Sequence, residues 1–117
     1  MNIVLREPSG VIISPGYPRG YNDSLINECH WKIIAPKGKV VRVEFPSFHL
    51  AKYDNVMITD TINGLNARNI IRFGKQLSFT FFSTGHELKL EAKSYAGTYG
   101  PGFIANYTSV SSGENDV

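Results

Sequence analysis

The chain has 117 residues, 42% of them apolar, with 12 basic groups against 10 acidic ones for a net charge of +2. That length sets one domain with a substantial core. Scattered single Lys and Arg exclude the clustered basic face that nucleic-acid binding needs, and no apolar run approaches the ~20 residues of a membrane span.

The first residues, Met-Asn-Ile-Val-Leu-Arg, are too short an apolar stretch for a signal-peptide core. Pro15-Gly16 marks the first turn. In residues 31–35, Trp31, Ile33 and Ala35 fall on one face. In residues 40–45, Val41, Val43 and Phe45 point one way while Arg42 and Glu44 point the other. Val56 and Ile58 share a face in residues 54–60. Residues 76–81 place Leu77, Phe79 and Phe81 together. Leu88, Leu90 and Ala92 alternate with Glu87, Lys89 and Glu91, and Phe103, Ala105 and Tyr107 close the series. Such a period of two is the strand signal, because successive side chains leave opposite faces of a pleated backbone. Each run is one-sided, and Pro/Gly/Asn turns separate the runs at Pro36-Lys37-Gly38, Asn63-Gly64, Gly85 and residues 97–102. The expected fold is all-β: two antiparallel sheets packed as a sandwich. Residues 109–117 are polar and end acidic, so the expected organisation is one domain over 1–109 and a tail or linker over 110–117.

Catalytic patterns are poor. The chain has neither a Gly-x-Ser-x-Gly elbow nor a phosphate loop. His86-Glu87 opens like a zinc-protease motif, but Leu90 stands where the second His is needed. Cys29 and His30 are adjacent, so in a strand they face opposite ways and cannot act as nucleophile and base. His30, His49 and His86 are expected at the surface. Asp54 and Asp60 share a face but lie ~20 Å apart in an extended strand, too far for one ion; both are expected as solvated acids beside turns. Asn22-Asp23-Ser24 and Asn106-Tyr107-Thr108 fit the glycosylation acceptor. Cys29 is the lone cysteine. It reads either as a small buried hydrophobe in a reducing compartment or as the orphaned half of a bridge.

Five pieces of the chain, in order, carry a family resemblance. They are residues 10–18 (Gly-Val-Ile-Ile-Ser-Pro-Gly-Tyr-Pro) with Tyr21, then Cys29-His30-Trp31, then residues 33–50 with Ala35-Pro36, Gly38, Phe45, Phe48 and Leu50. Next come Tyr53-Asp54-x-Val56-x-Ile58-x-Asp60 and Gly102-Phe103-x-Ala105-x-Tyr107. Together they resemble a CUB domain over nearly the whole chain. The resemblance implies a jelly-roll-like sandwich of two antiparallel sheets. It also implies four cysteines in two bridges. Cys29 matches the second cysteine, and the first would lie at or just before Met1. The third would fall near Ala51 or Lys52 and the fourth at Phe73, so both members of that bridge are missing. Such a bridge contributes about 2–4 kcal/mol, which packing of Phe73 is expected to offset in part. The family's calcium site maps onto Tyr21 and Asp54, but the loop 49–52 offers no Glu and Lys93-Ser94-Tyr95 offers no Asp. One carboxylate is a poor hard-cation site, so no calcium and no other cofactor is expected.

The function implied by the resemblance is a non-catalytic extracellular recognition or adhesion module, one domain of a larger secreted or cell-surface protein. Its partner is another protein or a neighbouring domain of the same chain, with self-association through a sheet edge as a further mode. Three loops are expected to gather at one end, carrying Tyr17, Tyr21, His49, Lys52, Asp54, Tyr95 and Tyr99. The alternative is a carbohydrate-binding domain with Tyr95 and Tyr99 as an aromatic platform. Nucleic acid and membrane insertion are not expected as partners.

Overall fold

A computed structural model describes residues 2–18, 27–62, 65–94 and 100–111. Among them run ten strands: β1 (Asn2–Leu5), β2 (Ser9–Ile13), β3 (Asn27–Ile34), β4 (Lys39–His49), β5 (Asn55–Ile62), β6 (Leu65–Phe73), β7 (Lys75–Gln76), β8 (Phe79–Phe82), β9 (Glu87–Ser94) and β10 (Gly102–Ser111). They form two sheets. One has the order β1-β3-β9-β5-β6. The other runs β2-β10-β4-β7, with β8 also on β4. The expected all-β sandwich is what the chain builds.

The alternation works as the side-chain periodicity requires. Trp31, Ile33, Leu88, Leu90, Val56 and Ile58 face inward from the first sheet. Val41, Val43, Phe45, Phe103 and Ala105 meet them from the second. Phe45 stacks on Phe79 with centroids 4.7 Å apart, and Trp31 meets Phe103 edge-on at 5.8 Å. β4 carries its alternation past a slip. The register against β10 shifts between Ile104 and Asn106, so Phe45 and Phe48 both point inward although they are three residues apart. Pro46, which has no N–H to give the ladder, sits in this bulge.

Four expectations are corrected. β1 pairs with β3 in parallel, Asn2 opposite His30 through Leu5 opposite Ile33, whereas every other pairing is antiparallel. Leu77 does not join Phe79 and Phe81: it follows β7 and is 89% exposed. Asp54 and Asp60 are buried, not solvated, because both point inward from the ends of a strand whose alternate positions face the core. Phe73 is 49% exposed and so leaves the absent bridge uncompensated by core packing. β10 pairs through Ser111, opposite Lys39 of β4; residues 112–117, which make up most of the expected tail, lie outside the described residues.

Candidate functional site

β2, β4, β6 and β9 all finish at one end of the sandwich, where β5 and β10 begin. Three segments meet there. After β2, Ser14 locks the chain onto β10: its N–H donates to Phe103 O at 3.1 Å, and its Oγ accepts from Phe103 N at 2.9 Å. Tyr17 N then donates back to Ser14 O at 3.1 Å, and Tyr17 OH lies 3.4 Å from Ser47 Oγ on β4. After β4, Leu50 N donates to Gly74 O at 2.9 Å and Gly74 N donates to Asp54 O at 3.2 Å. Before β10, Gly100 lies against the Leu50–Ala51 backbone, so that any Cβ would clash with it. Gly102, at φ +114°, sits against Ser14 and Tyr17 in a conformation that disfavours other residues.

The candidate residues divide on this frame. Tyr17 is half-buried at the rim; His49 and Lys52 are exposed. Lys52 Nζ lies 5.4 Å from the Tyr53 ring centroid. Asp54 is buried, and its side chain is not an open contact for a partner. Tyr21, Tyr95, Tyr99 and Asn22 lie outside the described residues. Asn106 is half-buried in the middle of β10, between Val11 of β2 and Glu44 of β4. Cys29 faces inward as a free thiol opposite Ala92. Burial pushes its thiol above the ordinary value. His30 points outward, with Nε2 2.8 Å from Glu28 Oε1. No nucleophile is thus paired with that imidazole.

The corner that the resemblance assigns to calcium holds Asp54 and Ser94, each one residue beyond the Asn55–Lys93 pair and both buried. Ser94 Oγ has no hydrogen-bond partner among the described residues. Calcium takes about six to eight hard oxygens. One carboxylate and one hydroxyl, with Lys93 alongside, do not fit that demand. Among the described residues no group of three or more His, Cys, Asp or Glu side chains is placed to hold a metal ion.

Asp60, at the far end of β5, plays a different part. Its carboxylate accepts from Arg68 Nε at 3.1 Å and from Thr84 N at 3.0 Å and Thr84 Oγ1 at 2.7 Å. Arg68 continues to Phe82 O at 2.7 Å. Arg68 and Arg72 of β6 lie over Phe81 and Phe79, at 4.8 and 5.7 Å from the ring centroids. Separately, β1, β3 and β9 enclose a shallow groove of about 280 Å³ lined by Asn2, Val4, His30, Lys32, Lys89 and Glu91. Reading the sequence missed the exposed Tyr53, Phe73 and Leu77 of the loop end. The available signal was Phe73 standing at a position where the resemblance expects cysteine.

A family model for the CUB domain matches residues 2–107. Procollagen C-endopeptidase enhancer 2 of Mus musculus is 35% identical over 112 residues, 90% of this chain and 26% of that protein. Cubilin of Sus scrofa is 31% identical over 108 residues, 88% of this chain and 3% of cubilin. Among solved structures, the full extracellular region of zebrafish Gpr126/Adgrg6 matches with a TM-score of 0.81 at 27% identity, over 94% of this chain and 15% of that one. The MASP-1 CUB2 domain bound to Ca2+ matches with a TM-score of 0.74 over 90% of this chain and 96% of that one; at 20% identity this is a likeness of fold alone. The chain spans about a quarter of the enhancer's length and a small fraction of cubilin's.

Proposed function

The chain belongs to the CUB domain family, and on that premise we propose that it is a non-catalytic recognition module of a larger secreted or cell-surface protein, binding another protein or a neighbouring domain. The supporting observation is the gathering of three loop segments at one end of a rigid double sheet, where Tyr17, His49 and Lys52 reach the surface. A sandwich whose end loops vary over a fixed core suits recognition. The described residues bring together no nucleophile with a base and no metal cluster, which favours binding over chemistry. In this reading the module acts without calcium, with Asp54 held inside the fold, and Asn22 and Asn106 are its glycan acceptors.

The test is binding of the fluorescently labelled chain to intact cells in EDTA. Saturable binding that is lost on trypsin treatment of the cells, and weakened by Tyr17→Ala together with Lys52→Ala, is the expected result. Binding that survives trypsin but not glycosidases would transfer the function to a carbohydrate ligand. Absence of saturable binding across cell types would count against a recognition module.

A further inference from the structure

Four apolar side chains stand in water at the loop end: Tyr53 at 64% exposure, Ile71 at 42%, Phe73 at 49% and Leu77 at 89%. The backbone holds them in one neighbourhood. Phe73 pairs with Asn55, two residues on from Tyr53. Gly74 packs on the backbone of Ala51 and Lys52. Gln76 Nε2 donates to Phe73 O at 2.8 Å, tying β7 and the adjoining Leu77 to the end of β6. Single exposed apolar residues are ordinary, but a contiguous group of large ones marks an interaction site.

Within the two chain segments that carry this ridge the exposed charge has one sign, and Glu91 lies two strands away, across Met57 from Ile71. Within residues 49–55 and 71–78 the charged groups are Lys52, Arg72, Lys75 and Asp54. Asp54 is buried and Arg72 lies over the Phe79 ring, so the exposed charges of these segments are Lys52 and Lys75, in a chain whose net charge is only +2. Part of the β6 edge is already satisfied. Ile71 O accepts from Arg72 Nη1 at 3.2 Å and Phe73 O accepts from Gln76. Side-chain recognition therefore suits this surface better than addition of a strand. A sulfated glycan would use the cations but leave the apolar side chains in water.

We propose that this ridge is the partner-contact surface and that its occupant is an acidic segment of another protein. An aromatic or aliphatic side chain of that segment seats against Phe73 and Tyr53, and its carboxylates meet Lys52 and Lys75. The proposal rests on the reading of the chain as a protein-interaction module and names the side chains that would carry it.

The test is selection of a phage-displayed random peptide library against the full chain, followed by affinity measurement on Phe73→Ser and on the double variant Lys52→Glu/Lys75→Glu. All three substitutions replace exposed side chains, and an unchanged thermal midpoint verifies the fold. The expected peptides are rich in Asp and Glu, carry an aromatic residue and lose about tenfold or more in affinity for each variant. Peptides that bind all three proteins equally overturn the ridge as the contact surface and leave the module reading standing. Failure to enrich any peptide overturns both. Heparin that binds at the same lysines with no loss on Phe73→Ser assigns the surface to a polyanion and overturns the protein partner.

Discussion

Arg68 Nε donates to Asp60 Oδ2 at 3.1 Å, across adjacent strands, and the Asp60 carboxylate is 0% exposed. A carboxylate taken wholly out of water is costly unless its oxygens are met by donors and a countercharge. Thr84 supplies two of the donors, and Arg68 supplies the third donor and the charge.

Arg68→Ala is expected to cost about 3 kcal/mol, because it strands a buried charge and uncovers the Phe81 ring. Arg68→Lys should recover part of that, since it keeps the charge but not the link to Phe82 O. Urea midpoints of the two variants decide it; a loss below about 1 kcal/mol for Arg68→Ala would mean that Thr84 alone satisfies Asp60.

Removing the hydroxyl of Ser14 should loosen the loop end from β10. Ser14→Ala leaves Phe103 N–H without its side-chain acceptor in a buried position, a cost of about 1–3 kcal/mol. Hydrogen exchange at the Phe103 amide should accelerate more than exchange at the centre of β9. Uniform acceleration across both sheets would refute a local role for Ser14.

The folded state holds two protons tightly. Burial raises the Cys29 thiol above its ordinary 9.0. Burial, then the negative charge of Glu7, raises the Tyr107 phenol above 10.0. Both groups ionise first in the unfolded chain, so their contribution is fully present below about pH 9 and is lost as pH rises through their folded values. Urea midpoints should therefore fall between pH 8.5 and 11. Cys29→Ala should remove the earlier part of that fall. Cys29 should also resist thiol reagents until urea unfolds the chain, and the protein should run as a monomer on a non-reducing gel. Rapid native labelling would contradict its burial.

Calcium in excess over EDTA should leave the thermal midpoint unchanged. A ligand that binds only the folded state at 100-fold its Kd would add about 2.7 kcal/mol and raise the midpoint by several degrees. Such a rise would reveal an oxygen donor set beyond Asp54 and Ser94.

The strand alternation at Trp31 to Ala35, Val41 to Phe45 and Leu88 to Ala92 was legible because a period of two is a local property of the pleated chain. In these three runs the residues on the inward phase are apolar. The family motifs were legible for the same reason: each is a short run in fixed order. Phe73 and Leu77 were misassigned because an apolar residue at a strand's end has no local mark that says whether anything covers it.

By itself, the sequence determined the fold class and the surface position of His30. Only the tertiary structure decided three further matters. β1 joined β3 in parallel, because strand partners are chosen between distant segments. Asp54 and Asp60 went inside, because burial of a carboxylate depends on donors such as Arg68 and Thr84 that come from other strands. Tyr53 and Phe73 came to share one exposed end, because the Asn55–Phe73 pairing folds two separated stretches of chain onto the same face.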